Sequence, residues 1–134
     1  MHLVVDTNVL FSYFKNNSAT NKLIKSNYFV LHCPEYAKVE LKKYKGDIKT
    51  KYSLTEIDFC NLLLELTDYV TFYSQGKYAK DIKSFAGFED KKDIDFLALA
   101  LHLNLPLWSN DKLLQMQSKV RVLSTRDVFD LLDT

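Results

Sequence analysis

The sequence predicts an α/β fold built on a parallel sheet of about five strands. Two observations lead there. Five short apolar runs, rich in β-branched and aromatic residues, are spread along the 134 residues. Between them the apolar residues fall at helical spacing, and strands that alternate with helices make parallel βαβ units with helices on both faces of the sheet. No internal repeat, linker or low-complexity segment interrupts the alternation, so residues 1–134 are expected to form one domain.

Taken in order, His2-Leu-Val-Val5 is a β-branched run ending at a charge, which reads as a buried, central strand. Residues 7–14 place Val9, Leu10, Tyr13 and Phe14 at helical spacing. Asn16-Asn17-Ser18 breaks the chain, and residues 19–26 form a second helical piece with Leu23 and Ile24 inward. Residues 28–31 are the second strand. Pro34 suits the first position of a helix, where its missing N–H costs nothing, and that helix runs to about Tyr44 before Gly46 and Asp47 break it. Ser53-Leu-Thr-Glu56 has the form of a capping box and opens a helix that reaches about Leu66. Residues 69–73 are the third strand, and residues 76–85 read as a helix. A charged lead-in, residues 88–93, precedes a near-continuous apolar helix over residues 96–103, which belongs deep in the core. Residues 105–108 and 120–123 are the fourth and fifth strands, with a short helix over residues 111–116 between them. Ser124-Thr-Arg-Asp127 opens a last helix ending near Leu132.

Composition narrows the class. Apolar residues make up 47% of the chain, enough for a core without staples, while three glycines and two prolines are too few for a loop-rich or disordered chain. Eighteen Lys and Arg stand against 17 Asp and Glu, a balance unlike that of a DNA-coating protein and without a polybasic membrane anchor. Cys33 and Cys60 form no CxxC pair, so no zinc ribbon or thioredoxin site is suggested; both read as small buried hydrophobes. The first residues do not read as a signal peptide, and no window approaches the ~18 apolar residues of a membrane span. A cytoplasmic protein without a membrane association is expected.

In open parallel sheets, sites form outside the carboxyl ends of the strands. Asp6 directly follows the first strand, and Asp111 sits three residues past the end of the fourth. Asp93 opens the apolar helix that feeds the fourth strand, and Glu40 lies one to two turns into the helix after the second. Each acid alone has a plainer reading. Asp93 and Asp111 suit helix N-termini, Glu40 suits a solvated face, and Asp6 divides evenly between function and local capping. A carboxylate straight after a buried strand is nevertheless costly unless it is bonded or ligates something. As a set, four carboxylates at one rim repel one another unless a cation neutralises them. Hard oxygen ligands suit Mg²⁺ or Mn²⁺ rather than zinc, and such an ion can turn a bound water into a nucleophile toward a phosphodiester.

Three segments resemble the PIN-domain nucleases. They are Val4-Val5-Asp6-Thr7-Asn8-Val9-Leu10; Pro34-Glu-Tyr-Ala-Lys-Val-Glu40-Leu41; and the stretch from Asp93 through Ala98, Ala100 and Trp108 to Ser109-Asn-Asp111. They occur in the family's order and span nearly the whole chain, whose length suits a free-standing PIN domain. The resemblance implies a three-layer α/β/α fold with a parallel sheet of about five strands. It implies Mg²⁺- or Mn²⁺-dependent endonucleolytic hydrolysis of RNA, with the toxin of a toxin–antitoxin pair as a common setting. It therefore also implies an antitoxin protein as partner, and pairing into a homodimer. By position, Asp6, Glu40, Asp93 and Asp111 would be the catalytic, metal-binding acids. Ser109 would orient the last acid or a metal water, and Asn8 would prop the first; Thr7 suits a helix cap. Asp90, Asp93 and Asp95 all lie near the third acidic position. Asp93 keeps the register to Ala98, Ala100 and Asp111, and Asp95 stands as a neighbour or auxiliary ligand. Lys91 and Lys92 stand where many toxin members carry an arginine.

Other chemistries fit less well. Asp6-Thr-Asn8 is similar to the opening of haloacid-dehalogenase phosphatases, but Asn8 cannot shuttle a proton. A receiver domain wants an acid after the third strand, where Ser74 and Gln75 stand, and nothing matches a P-loop. His2, His32 and His102 are scattered and read as satisfied or surface residues. The lysine-rich stretch holding Lys42, Lys43 and Lys45 reads either as a solvated face or as an RNA-binding rim beside Glu40, with Tyr36, Tyr44 and Tyr52 available for base stacking. Placed against the nuclease reading is a non-catalytic module of the same fold that binds RNA or protein without cutting.

Overall fold

Strand β1 (His2–Val5) is the middle of the sheet in the computed structural model, which describes residues 1–133. Thr134, the last residue of the expected domain, lies outside them. The other strands are β2 (Val30–Pro34), β3 (Val70–Tyr73), β4 (Leu107–Trp108) and β5 (Val122–Leu123), in the spatial order β3-β2-β1-β4-β5. All four pairings are parallel, with Val4 opposite both His32 and Leu107 and Val5 opposite Trp108. The sheet is the five-stranded parallel one expected, and every strand ends at the same edge.

Among the described residues, eight α-helices connect and flank the strands: α1 (Thr7–Phe11), α2 (Ala19–Lys25), α3 (Tyr36–Lys43), α4 (Lys45–Tyr52), α5 (Glu56–Tyr69), α6 (Ile94–Leu103), α7 (Lys112–Met116) and α8 (Thr125–Asp130). The apolar stretch of α6 is buried from Phe96 through Ala100. Trp108 is fully buried, and its indole N–H donates to Thr125 Oγ1 at 3.0 Å. On the other side Phe14 stacks on Phe59 of α5, ring centroids 5.0 Å apart. The first helix closes in a 3-10 turn, Ser12–Phe14, that carries Tyr13 and Phe14 into this core.

Several local expectations give way to tertiary structure. The second strand lies two to three residues later than expected, because the parallel register sets Val30 opposite His2 and Pro34 opposite Tyr73. Pro34 therefore ends a strand instead of starting a helix. Gly46 and Asp47 do not break the chain into a loop; they sit in the first turn of α4, where an acid favours the helix N-terminus. The capping box falls two residues later than read. Ser53 has φ 55°, ψ 46° and terminates α4, so it lacks the extended backbone an N-cap needs. Thr55 and Asp58 make the reciprocal bonds instead. Residues 76–85 are two 3-10 pieces, Gln75–Lys77 and Ala79–Phe85. Cys33 is buried and donates to Val5 O, whereas Cys60, expected inside, is exposed on α5. No helix among the described residues is long and apolar enough to cross a membrane.

Candidate active site

The strand ends fix the first two groups. The Asp6 backbone N–H donates to Trp108 O at 3.0 Å, and the Ser109 N–H donates to Leu123 O at 2.9 Å. Both residues therefore stand at the carboxyl edge of the sheet, on adjacent strands, and both side chains are buried, at 3% and 0% exposure. The Ser109 hydroxyl donates to Asp6 Oδ2 and accepts the Asp111 N–H. Asp111 caps α7 with a single oxygen: Oδ1 accepts from the N–H groups of Leu113 at 2.8 Å and Leu114 at 3.4 Å.

Two further elements bring acids from the side. Glu40, on α3, is half-buried and accepts a hydrogen bond from Thr7 Oγ1 at 2.7 Å. Thr7 is the first residue of α1, so its hydroxyl does not cap that helix, as the sequence suggested; it holds Glu40. Asp93 stands at the N-cap of α6 yet makes no side-chain cap bond, and its Oδ2 is buried without a hydrogen-bond partner. Leaving a buried polar oxygen unpaired costs about 1–3 kcal/mol, more for a charged one.

Asp6, Glu40, Asp93 and Asp111 line one cleft of about 310 Å³, together with Thr7, Asn8, Phe11, Tyr44, Asp90 and Lys92. All four acids picked out from the sequence are brought together there. Asp95 is not among them: it points to Gln75, whose Nε2 donates to it at 3.4 Å. Asn8 lies in the cleft wall with an exposed side chain, and its backbone amide draws the Asp6 pKa down. The lysines divide. Lys42 and Lys43 are exposed on α3, whereas Lys45 and Lys49 both bond to Glu56, at 2.7 and 2.8 Å, away from the cleft. Asp90, Lys92 and Phe11 are cleft residues that sequence reasoning did not assign. The spacing of Asp90 and Lys92 around Asp93 was the available signal; for Phe11 there was none beyond its position five residues past Asp6.

The electrostatics follow from this crowding. Burial, and after it the charges of Glu40 and Asp111, push the Asp6 carboxyl up to about 6 against the pull of the Ser109 hydroxyl. Burial, with Asp6, Asp90, Asp111 and Glu40 nearby, pushes Asp93 up to about 7. Glu40 is raised by burial too, while the Thr7 hydroxyl, Lys92 and Lys43 oppose the rise. A divalent cation answers both the repulsion and the orphaned Asp93 oxygen, and an all-oxygen donor set fits a hard ion. No three His, Cys, Asp or Glu side chains among the described residues are gathered closely enough to hold an ion by themselves. Mg²⁺ keeps several waters and takes one or two carboxylates directly.

A family model for the PIN domain matches residues 4–129 of the chain. No curated protein gives a significant sequence match. Among solved structures, a chain of the VapBC2 assembly from Rickettsia felis, bound to a DNA fragment from their promoter, superposes with a TM-score of 0.68. Its sequence identity is 10%, and the match covers 92% of this chain and 98% of that one. At that identity the likeness is one of fold.

Proposed function

This chain belongs to the PIN-domain family, whose members are generally nucleases that use divalent metals, and we propose that it is an endoribonuclease that hydrolyses RNA phosphodiester bonds with Mg²⁺ or Mn²⁺ bound, with its waters, in the cleft lined by Asp6, Glu40, Asp93 and Asp111. The observation that carries this reading is the buried, partnerless Oδ2 of Asp93 in a cleft shared with three other carboxylates. When bound, the ion would supply charge neutralisation and lower the pKa of a bound water, making it a better nucleophile.

The protein's own groups do the positioning. Ser109 fixes the rotamer of Asp6, and Thr7 fixes that of Glu40, so two acids are held before any ligand arrives. Asp111 is oriented by its cap bonds. Lys92 in the cleft wall, with exposed Lys42 and Lys43 on α3, supports non-specific, salt-dependent attraction of RNA phosphates. Lys45 is assigned to the Glu56 pair instead.

The proposed setting is cytoplasmic, as the toxin of a toxin–antitoxin pair; the VapBC2 assembly that resembles the chain in fold supports that setting. We also propose a homodimer paired through α5. That helix leaves Ile57 and Leu64 exposed at 71% and 67%, whereas Leu23 and Ile24 of α2 are committed to the core.

The test is incubation of the purified protein with mixed single-stranded and structured RNA, in Mn²⁺, in Mg²⁺ and in EDTA, beside Asp6→Asn. Metal-dependent cutting that disappears in the folded Asp6→Asn protein is the expected result. A fully active Asp6→Asn protein would sink the site assignment. Metal binding without cutting of any RNA would replace the enzyme with a non-catalytic binding module.

A further inference from the structure

Beside the acidic cleft lies a second cavity of about 170 Å³, walled by Phe11, Tyr44, Asp47, Ile48, Lys51 and Tyr52. The two hollows share a wall, since Phe11 and Tyr44 line both. Those rings meet edge to face, with centroids 5.7 Å apart. Helix α4 supplies the rest: Ile48 is buried at the floor, and Asp47 and Lys51 are exposed at the mouth, one turn apart. Lys51 Nζ lies 5.5 Å from the centre of the Tyr52 ring. Asp47 enters no ion pair among the described residues.

Size, walls and rim select one kind of occupant. An apolar cavity of roughly 150 Å³ accommodates a six-membered aromatic ring. Aromatic walls bind the faces of unpaired bases. A free carboxylate at the mouth accepts from an exocyclic amino group, which adenine, cytosine and guanine carry and uracil lacks. Because Phe11 and Tyr44 wall both hollows, a strand with a phosphate in the acidic cleft can set a neighbouring base at this opening.

We propose that the pocket receives an unpaired, amino-bearing nucleobase of the RNA strand, lodged against Tyr44 and Tyr52 with Asp47 accepting from its amino group. The identity of the strand rests on the nuclease reading above; the pocket's affinity for a base does not.

The experiment separates the two. Anisotropy of labelled single-stranded hexamers (oligo-A, oligo-C, oligo-U and an abasic chain of equal length) is measured in EDTA, where no metal-dependent cutting occurs. Oligo-A and oligo-C are expected to bind about tenfold tighter than the abasic chain, the scale of one stacked base. Tyr52→Leu should remove that advantage and leave abasic binding unchanged. Asp47→Ala, at an exposed position, should remove the preference for oligo-A and oligo-C over oligo-U. Thermal melts establish that both variants fold. Equal binding of base-bearing and abasic chains by the unaltered protein, no RNA binding at all, or unchanged preferences in both folded variants would overturn the proposal. Cleavage in Mn²⁺ is scored in parallel. Base preference without cleavage removes the nuclease reading and keeps the pocket, and cleavage without base preference does the reverse.

Discussion

Ser109 donates its hydroxyl proton to Asp6 Oδ2 over 2.8 Å, a bond between residues 103 positions apart in the chain. The Ser109 hydroxyl oxygen in turn accepts the Asp111 N–H at 3.1 Å. One buried hydroxyl thus sets the spacing between the acid that follows β1 and the acid that follows β4.

Ser109→Ala should leave the fold intact and weaken Mn²⁺ binding or cutting by about 10–100-fold, the usual effect of losing a group that orients a ligand. Because the hydroxyl lowers the Asp6 pKa, its loss raises that pKa further. The deficit in Mn²⁺ affinity, read by calorimetry, should be larger at pH 6 than at pH 8. Equal deficits at both values would show that Ser109 acts on something other than Asp6.

Asp93→Asn and Asp95→Asn should part company. Only Asp93 lies in the cleft, so only Asp93→Asn should abolish metal-dependent cutting. It should also raise the melting temperature of the metal-free protein at pH 8, because it removes a buried charge with an unpaired oxygen. Asp95→Asn, exchanging one acceptor of the Gln75 bond for another, should do neither. A greater loss of cutting in Asp95→Asn would transfer the third site to that residue.

The metal-free protein should become less stable as pH rises from about 4 to about 7. Asp6 and Asp93 start from 3.8 unfolded and are raised to about 6 and about 7 in the fold. Between those values the folded state holds protons that the unfolded state has released, so unfolding free energy falls with pH. Saturating Mg²⁺ should flatten or reverse this slope, since an ion in the cleft binds only the folded state. Urea titrations across that range, with and without Mg²⁺, measure it; identical slopes would argue against a metal among these acids.

Phe59→Ala should cost about 3–5 kcal/mol in urea unfolding, through the cavity it leaves. Phe59 is 1% exposed and stacked on Phe14. A loss below about 1 kcal/mol would mean that α5 packs elsewhere in solution.

The legible parts of this fold are those that a strong local pattern and tertiary structure both favour. His2–Val5 and the apolar run of α6 were visible because β-branched residues and unbroken hydrophobicity leave few alternatives. The four acids were visible because strand ends and helix starts can be counted, and the counting rule for parallel sheets places them at one edge. What stayed hidden depended on partners. Tyr28 looks as strand-like as Val30, yet only pairing with β1 and β3 sets the frame, and Tyr28 is left outside the strand. Ser53 and Thr55 are equally good caps on paper; the left-handed backbone that closes α4 takes Ser53 out of contention. Lys45 reads as one of a basic run until Glu56, eleven residues away, claims it.

The strand order has a practical corollary. Asp6 and Glu40 belong to the stretch ahead of Tyr73, Asp93 and Asp111 to the stretch beyond it, and β1 lies between β2 from the one and β4 from the other. A cut in the 3-10 segments that join β3 to α6 would leave each fragment with half of the acids and an unpaired strand edge that fits the other. Expressed as two pieces, neither would carry the full set of acids, so the site could form only where both are present at once, the logic of a coincidence detector.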